Sequence, residues 1–393
     1  MAGRGTLRER GNGKWELTVA LGVDASGKQI RKYRTVKAKD KREAERLLAR
    51  FVVEVDSGVA GSNENITVKD FISSWFSDYA DKNLAPKTLF RYKQLSERIK
   101  TAIGHIKLGK LKPNHLIQFY NNLQEPGVRK DGKENKGLSE RTILHYHRLI
   151  HTVLETAVQW QYIAANPASR VKPPKVPKRQ MPAYDEVQVA AMLSALTNEP
   201  FQYQVIVWLA LATGMRQGEI MGLEWKHIDF SSNIIRVEQA AQYVPGKGTF
   251  LKAPKNETSH RVIAVPTTVM QMIKEHKKQQ AEQRLLLGNK WDKSERVFTQ
   301  VFGKPMYPQT MSTWFPKFLK RHQLPHMNFH GLRHTCASLL IAEGATPVDL
   351  SKRLGHSTSS TTLNIYSHSF QKADERLSEK MSAILQNATV KKA

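Results

Sequence analysis

The sequence predicts a multidomain protein that is mainly α-helical and carries small β-sheets. Apolar and polar residues alternate in the first sixty residues, which is the period of half-buried strands. Farther along, apolar residues recur at three- and four-residue steps, the spacing of helix faces, and short alternating segments return between helices in the second half. We predict an N-terminal three-stranded sheet with one helix, a helical bundle, a basic proline-rich linker and an α+β domain with a C-terminal helix, at residues 1–60, 61–168, 169–182 and 183–393.

Lysine and arginine outnumber acidic residues by 61 to 35, which gives the chain a formal net charge of +26 over 393 residues. Because this charge is spread over patterned sequence, it indicates folded domains with basic faces and a polyanionic partner. Cys336 is the only cysteine, so we interpret it as a core residue and expect a reducing compartment. We recognise no signal peptide and no apolar run of membrane-spanning length. We expect a soluble protein of the bacterial cytoplasm, associated with the nucleoid and without a membrane partner.

The first unit is organised around alternating strands. Residues 15–21 and 28–36 alternate between apolar and polar or small side chains, and Asp40 is placed to cap a helix that runs to about Val55. A β-ribbon is narrow enough to enter the major groove of DNA. A solvated basic sheet without a ligand is the alternative. The candidate DNA contacts of this unit are Arg10, Lys14, Arg31 and Arg34.

The second unit shows helical periodicity throughout. Its predicted helices start near Thr67, Pro86, Pro113 and Ser139, the last running through Trp160. Basic side chains on these helices are candidate DNA contacts as a group, although each alone is more typical of a solvated surface. The members that we select are Lys87, Arg91, Arg141 and Arg148.

The linker is basic and rich in proline, so we expect an extended chain. Such a segment can follow a DNA backbone between two domains that clamp opposite sides of the duplex; a plain spacer is the alternative. Its candidate DNA contacts are Lys175, Lys178 and Arg179.

The third unit contains basic clusters at predicted helix ends, which are suitable places to meet a phosphate. A helix begins after His330 with Arg333 and His334 in its first turn, and a second helix, capped by Thr346 and Pro347, ends at Gly355 just before His356. Tyr366 follows ten residues later on a third predicted helix. Upstream, Arg216 follows a buried apolar helix, and Glu219 three residues on can orient it. The segments 234–244, 249–253 and 262–265 are predicted to form one small antiparallel sheet.

This pattern, H-x-L-R-H followed by L-G-H and then Y, resembles the tyrosine recombinases, in particular the integrases of phages and conjugative transposons, which are lambda-integrase-like. The segment 213–220 resembles the first-arginine box of that family, and the segment 254–258 resembles its lysine β-hairpin. The resemblance implies a site-specific recombinase of a mobile element, which cuts and rejoins DNA through a 3′-phosphotyrosine for integration and excision. It implies that the three units are an arm-type DNA-binding domain, a core-binding domain and a catalytic domain.

The resemblance also implies the site residues. The catalytic set is Arg216, Lys255, His330, Arg333 and His356, with Tyr366 as the nucleophile and with Glu219 and His334 in support. Neither a metal nor another cofactor is implied. The implied partners are double-stranded DNA at core and arm attachment sites, three further copies of the chain in a tetramer assembled on DNA, and an excisionase or host DNA-bending protein.

The residue types fit this chemistry. Cleavage by a tyrosine adds negative charge to the non-bridging oxygens of the phosphate, and Arg216, Arg333 and His356 can donate hydrogen bonds to them. From the sequence we expect His330 to accept the tyrosine proton, whereas the general-acid role of Lys255 follows from the resemblance.

Three other functions fit part of this pattern. A type IB topoisomerase would share the chemistry but has no use for the N-terminal sheet domain, and a chromosome-dimer resolvase usually lacks that domain. A DNA-binding regulator could use 346–366 as a helix-turn-helix but would not need all six catalytic residues. His147, His151 and Glu155 have a metal-like spacing on one helix, but a zinc site would need a fourth group, so we assign no metal.

Overall fold

A computed structural model describes residues 5–23, 26–56, 65–129, 135–177, 182–252 and 260–367, with 370, 378, 381–382 and 385. The chain divides into two compact units, Met1–Lys178 and Arg179–Ala393. Within the described ranges, none of the helices has the length and apolar character needed to cross a membrane.

The N-terminal part of the first unit is a three-stranded antiparallel sheet in the order β1-β2-β3, followed by one helix. Its elements are β1 Gly5–Gly11, β2 Lys14–Val23, β3 Gln29–Lys37 and α1 Lys41–Asp56. Leu17 and Val19 on β2 pack against Phe51 and Val55 on α1. This core covers one face of the sheet, and the predicted sheet with one helix is confirmed.

The rest of the first unit is a helical bundle. Its elements are α2 Val68–Trp75, a π-helical turn Phe76–Ala80, α3 Asp81–Asn83, α4 Pro86–Ile103, α5 Pro113–Asn122 and α6 Glu140–Gln159. The starts follow the expected signals, because Thr67 and Ser139 accept hydrogen bonds from the first turns of α2 and α6. Phe71 and Trp75 lie in the buried core.

The second unit is α+β. Its helices are α7 Glu186–Leu196, α8 Phe201–Thr213, α9 Gln217–Gly222, α10 Thr267–Leu287, α11 Thr310–Arg321, α12 Gly331–Ala342, α13 Pro347–Leu354 and a last helix, α14, at 359–367. Its strands are β4 Ile228–Asp229, β5 Ile234–Val237, β6 Ala240–Val244, β7 Gly248–Lys252 and β8 Arg261–Ala264. The mainly helical fold class with small sheets is confirmed.

The prediction of one sheet from 234–244, 249–253 and 262–265 is wrong in its pairing. The strands form a sheet in the order β4-β5-β8 and a separate hairpin of β6 with β7. The break falls at Gln239, whose side chain donates to the carbonyl of Gly222 (2.8 Å). The chain turns there to lie against α9, so closely that a Cβ on Gly222 would stand 2.8 Å from the backbone nitrogen of Ala241. Close packing against Gly222 thus interrupts the strand that the alternating sequence predicts for 234–244.

A small apolar cluster joins α12, α13 and α14. Ala337 and Ile341 from α12 pack with Leu350 and Leu354 from α13 and with Tyr366. Of the predicted apolar stripe of the C-terminal helix, Met381 and Leu385 are exposed, and Leu377 and Ile384 lie outside the described residues.

Candidate active site

The first arginine is held at a tight connection between two helices. The buried helix α8 ends at Gly214, whose left-handed backbone (φ 63°) turns the chain. A Cβ at this position would stand 2.5 Å from Cδ2 of Leu354, so glycine is needed both for conformation and for space. Arg216 follows as the N-cap residue of α9. The backbone of Arg216 is therefore held between the end of α8 and the start of α9.

Glu219 is a buried carboxylate that binds two arginines. The Arg216 backbone N–H donates to Oε2 (2.9 Å) and its Nη1 donates to Oε1 (2.9 Å). Nη1 and Nη2 of Arg261 donate to the same two oxygens (3.2 and 2.7 Å). Burial raises the pKa of Glu219, but the hydrogen bonds and charges of Arg261 and Arg216 outweigh it and hold that pKa below its ordinary value. Glu219 is therefore ionised at neutral pH.

The same two arginines hold the end of α13. Gly355 terminates this helix in the left-handed conformation (φ 68°), and Nη2 of Arg216 donates to its carbonyl (2.9 Å). Nε of Arg261 donates to the carbonyl of Arg353 (2.8 Å). Cationic side chains are well placed at the carbonyl end of a helix. His356, the next residue, is thus positioned relative to Arg216.

Arg333 is a nearly fully buried cation at the start of α12. Its Nη1 donates to the carbonyl of Gly214 (2.7 Å), and its Nη2 is buried without a hydrogen-bond partner among the described residues. Burial and the neighbouring charge of Arg216 lower the pKa of Arg333 to about 10, which still leaves it charged at neutral pH. An unpaired buried guanidinium nitrogen is costly unless an anion binds to it.

Tyr366 is buried, and its hydroxyl lies 3.0 Å from Nδ1 of His334. Burial raises the pKa of Tyr366 to about 12, although the charges of Arg333 and Arg216 oppose the rise. Burial and the nearby His330 and Arg333 lower the pKa of His334 to about 4. The pair therefore consists of a neutral phenol and a neutral imidazole at pH 7, and Nε2 of His334 has no hydrogen-bond partner in the described parts of the chain.

The two remaining histidines flank this pair. The His330 ring meets the His334 ring edge to face at 5.0 Å, and its partial burial with the charges of Arg333 and Arg216 lowers the pKa of His330. His356 lies parallel to the Tyr366 ring at 6.5 Å, and its Nδ1 pairs with Oγ1 of Thr362 (2.8 Å). Burial and the charge of Arg333 lower the pKa of His356 to about 4.

The structure brings together Arg216, Glu219, His330, Arg333, His334, His356 and Tyr366 from four elements. Lys255, the remaining member of the expected set, lies outside the described residues, as do Lys178 and Arg179 of the linker. His334, predicted to be a supporting residue, lies beside the tyrosine hydroxyl, in the place predicted for His330. Arg261 was missed, because a lone arginine after a turn resembles an ordinary surface charge. Cys336 is buried, and burial raises the pKa of its thiol to about 11.

The expected DNA contacts of the sheet lie on two faces. Arg31 pairs with Ala20 and lies on the face opposite the helix, with Arg10 and Lys14, whereas Arg34 pairs with the buried Leu17. Arg34 stacks over the ring of Phe51 at 4.4 Å, so it lies on the side covered by α1. In the other segments, the exposed candidates are Lys87, Arg91, Arg141, Arg148 and Lys175.

The histidines with metal-like spacing bind protein groups instead. His147 pairs with the hydroxyl of Tyr120 (3.1 Å) and His151 with Ser169 (3.1 Å). Glu155 accepts a hydrogen bond from Asn166 (2.9 Å). These partners connect α6 to neighbouring segments, so the spacing has a structural explanation.

Comparison with known proteins gives consistent matches. Residues 183–373 match the phage integrase family model, and residues 67–124 match the N-terminal SAM-like domain of phage integrases. The chain is 28% identical to a XerC-like tyrosine recombinase of Caldanaerobacter subterraneus, over 91% of this chain and 93% of that protein. It is 22% identical to the ICEBs1 integrase of Bacillus subtilis, over 97% and 100%.

Solved structures show the same fold. The Tn1549 transposon integrase in complex with transposon right end DNA aligns with a TM-score of 0.65 at 21% identity, covering 80% of this chain and 99% of that one. A lambda integrase dimer bound to a core site aligns with a TM-score of 0.57 at 16% identity, covering 91% and 93%.

Proposed function

The chain belongs to the phage integrase family of tyrosine recombinases and is a site-specific recombinase of mobile elements; from this premise we propose that Tyr366 is its nucleophile. The tyrosine oxygen attacks the scissile phosphorus, an O–P bond forms, and the bond from phosphorus to the 5′ oxygen breaks. The product is a 3′-phosphotyrosine, which a 5′-hydroxyl of a second strand attacks in turn. The observation that carries this proposal is the buried contact between Tyr366 and His334, surrounded by arginines.

Arg216 and Arg333 stabilise the charge of the pentavalent transition state. Nη2 of Arg333 is buried and lacks a protein partner among the described residues, so a non-bridging phosphate oxygen would satisfy it. Arg216 is partly exposed, with 39% of its side chain accessible, and can reach an approaching phosphate while Glu219 holds it. Fixed donors of this kind are worth about 3 kcal/mol each. His356 is placed to give a third hydrogen bond.

The proton of Tyr366 is nearest to His334. Burial raises the pKa of this tyrosine and lowers that of the histidine, so complete proton transfer before attack is unfavourable. The transfer must therefore accompany attack. His330 contacts His334 and supports its orientation.

The leaving 5′ oxygen needs a proton, and we assign its delivery to Lys255. This assignment rests on the resemblance of 254–258 to the lysine hairpin of the family. The reaction conserves the bond energy in the phosphotyrosine, so it requires no ATP, and the arginines take the charge-stabilising role that a metal would otherwise fill.

We extend the proposal to the rest of the chain. The sheet of residues 5–37 would bind arm sites through Arg10, Lys14 and Arg31, and the bundle would bind core sites. One similar structure is described as a lambda integrase tetramer bound to a Holliday junction, which supports a tetramer on DNA here, assisted by an excisionase or a host DNA-bending protein. Bacterial relatives and action on DNA favour the cytoplasm of a bacterial host.

The test is formation of a covalent protein–DNA adduct. Wild-type protein and Tyr366→Phe are incubated in EDTA with a nicked duplex that carries the element's attachment site, and adducts are resolved on a denaturing gel. We expect an EDTA-resistant adduct with wild type and none with Tyr366→Phe. Specific binding without an adduct from either protein would favour the regulator reading. Relaxation of supercoiled DNA by a monomer, without strand exchange, would favour the topoisomerase reading.

A further inference from the structure

Arg261 is a buried arginine at the first position of β8, with 6% of its side chain accessible. It pairs with Glu219, whose side chain is 7% accessible, through both of its terminal nitrogens. A buried, two-pronged arginine–carboxylate pair is strongly directional, because the planar fork matches the two oxygens. The pair joins β8 to α9 across a long sequence separation, and it lies directly against Arg216.

We propose that Arg261 is a positioning residue for DNA cleavage, which sets the place of the Arg216 guanidinium through Glu219 and the end of α13. This inference rests on the proposed function of Arg216. Arg261 itself donates to Glu219 and to the carbonyl of Arg353. These contacts assign it to the support of the site rather than to the substrate.

Arg261 and Arg216 share the Glu219 carboxylate. Each oxygen accepts one hydrogen bond from Arg261 and one from Arg216. With Arg261 present, Nη1 of Arg216 donates to Oε1, and Nη2 reaches the carbonyl of Gly355 (2.9 Å). Without Arg261, the buried carboxylate would lose two donors and a charge. Arg216 would then be its remaining cationic partner and would be drawn toward it, away from an incoming phosphate.

Arg261 also binds the end of α13. Nε of Arg261 holds the carbonyl of Arg353, and a Cβ on Gly355 would lie 2.9 Å from Nη1 of Arg261. Arg261 therefore donates to the carbonyl of Arg353, and Arg216 donates to the carbonyl of Gly355. His356 is the next residue. Loss of Arg261 would therefore leave both Arg216 and His356 less firmly positioned for the phosphate. A misplacement of about 1 Å can reduce a rate about 100-fold.

The test compares full-length wild type with Arg261→Met and Arg261→Lys on the nicked duplex at saturating DNA. We expect Arg261→Met to lower the single-turnover cleavage rate constant about 10- to 100-fold, with DNA affinity changed less than about threefold. Arg261→Lys keeps the charge but cannot hold Glu219 and the Arg353 carbonyl together, so it should restore only part of the rate. A wild-type rate for Arg261→Met, or a loss confined to affinity, would overturn the proposal.

The matched control is Arg296→Met. Arg296 is a buried arginine of the same domain, which pairs with Glu224 (3.5 Å) and donates to the carbonyl of Met221 (3.1 Å). Its loss should lower the unfolding temperature without changing the cleavage rate constant of the folded protein. An equal rate loss in Arg296→Met would show that the Arg261 effect reflects general destabilisation.

A second substrate distinguishes a defect in phosphate stabilisation from a defect in protonation of the leaving group. A duplex with sulfur in place of the bridging 5′ oxygen has a leaving group that needs no general acid. Because Arg261 acts through phosphate-binding groups, we expect the defect of Arg261→Met to persist on this duplex. Restoration of the wild-type rate by sulfur would overturn the proposal and place Arg261 in the leaving-group step. If wild type formed no adduct on both duplexes, the proposed function itself would be contradicted.

Discussion

The hydroxyl of Tyr366 lies 3.0 Å from Nδ1 of His334, and both side chains are more than nine-tenths buried. A direct hydrogen bond between a nucleophile and an imidazole is the arrangement by which a histidine orients or deprotonates that nucleophile. The finding changes the assignment made from the sequence, because His330 contacts the His334 ring instead.

His334→Leu and His334→Asn should differ in cleavage. Leucine removes the hydrogen bond to Tyr366, and we expect the single-turnover rate constant to fall about 100-fold or more. Asparagine can place its amide near the position of Nδ1 and should retain more of the rate by orienting the hydroxyl. Rapid-quench measurement of adduct formation gives both values. Equal rates for wild type and His334→Leu would remove this histidine from the mechanism.

Arg333→Met should separate activity from stability. Loss of the guanidinium removes a transition-state donor, so cleavage should fall about 100- to 1,000-fold. The unfolding temperature should not fall, because the buried cation has a hydrogen bond to Gly214 at one end, whereas its Nη2 has no partner among the residues that the structure describes. Calorimetry of the two proteins measures this. A large drop in unfolding temperature would mean that Arg333 is held in place mainly for stability.

Stability should decrease on acidification before the carboxylates titrate. His334 and His356 titrate near pH 4 when folded and near 6.5 when unfolded. Between these values the unfolded chain binds more protons, so stability is fully present above about pH 6.5 and is lost as the pH falls toward 4. Unfolding temperatures at about pH 7.5 and about pH 5 measure the loss. His334→Asn should show a smaller decrease than wild type, and an unchanged decrease would contradict the assigned shift.

Gly355→Ala should impair cleavage more than Gly246→Ala. Both glycines have left-handed backbones, so an alanine at either costs about 1 kcal/mol in conformation. At Gly355 the new Cβ would also lie 2.9 Å from Nη1 of Arg261, whereas at Gly246 no atom of the described part of the chain lies within 4 Å. We expect Gly246→Ala to keep the wild-type cleavage rate constant and Gly355→Ala to lose about tenfold. Similar rates for the two variants would show that the contact with Arg261 is unimportant.

The local signals in the sequence were sufficient for most of the fold. Thr67, Ser139 and Thr346 cap the helices that they were expected to start, and the N-terminal sheet follows from alternation. These are short-range effects, which a sequence displays directly. The split of 234–244 between two sheets could not be predicted, because it depends on how the chain packs against Gly222 of α9.

Among the site residues too, some could be predicted from the sequence and others could not. Arg216, Arg333, His356 and Tyr366 were found from motif spacing, and the structure brings them together. The choice between His330 and His334 depends on which face of α12 meets α14, and the role of Arg261 depends on a carboxylate far away in sequence. Such long-range contacts leave no periodic signal. The four-part domain division and the individual DNA contacts stay predictions.

The most direct test of the central claim is to locate the covalent bond. Wild-type adduct formed on the nicked duplex would be digested with nuclease and protease, and the peptide that carries the nucleotide would be identified by mass spectrometry. We predict a single modified peptide with the phosphate on Tyr366. A phosphate on any other residue, or an adduct that survives in Tyr366→Phe, would contradict the account.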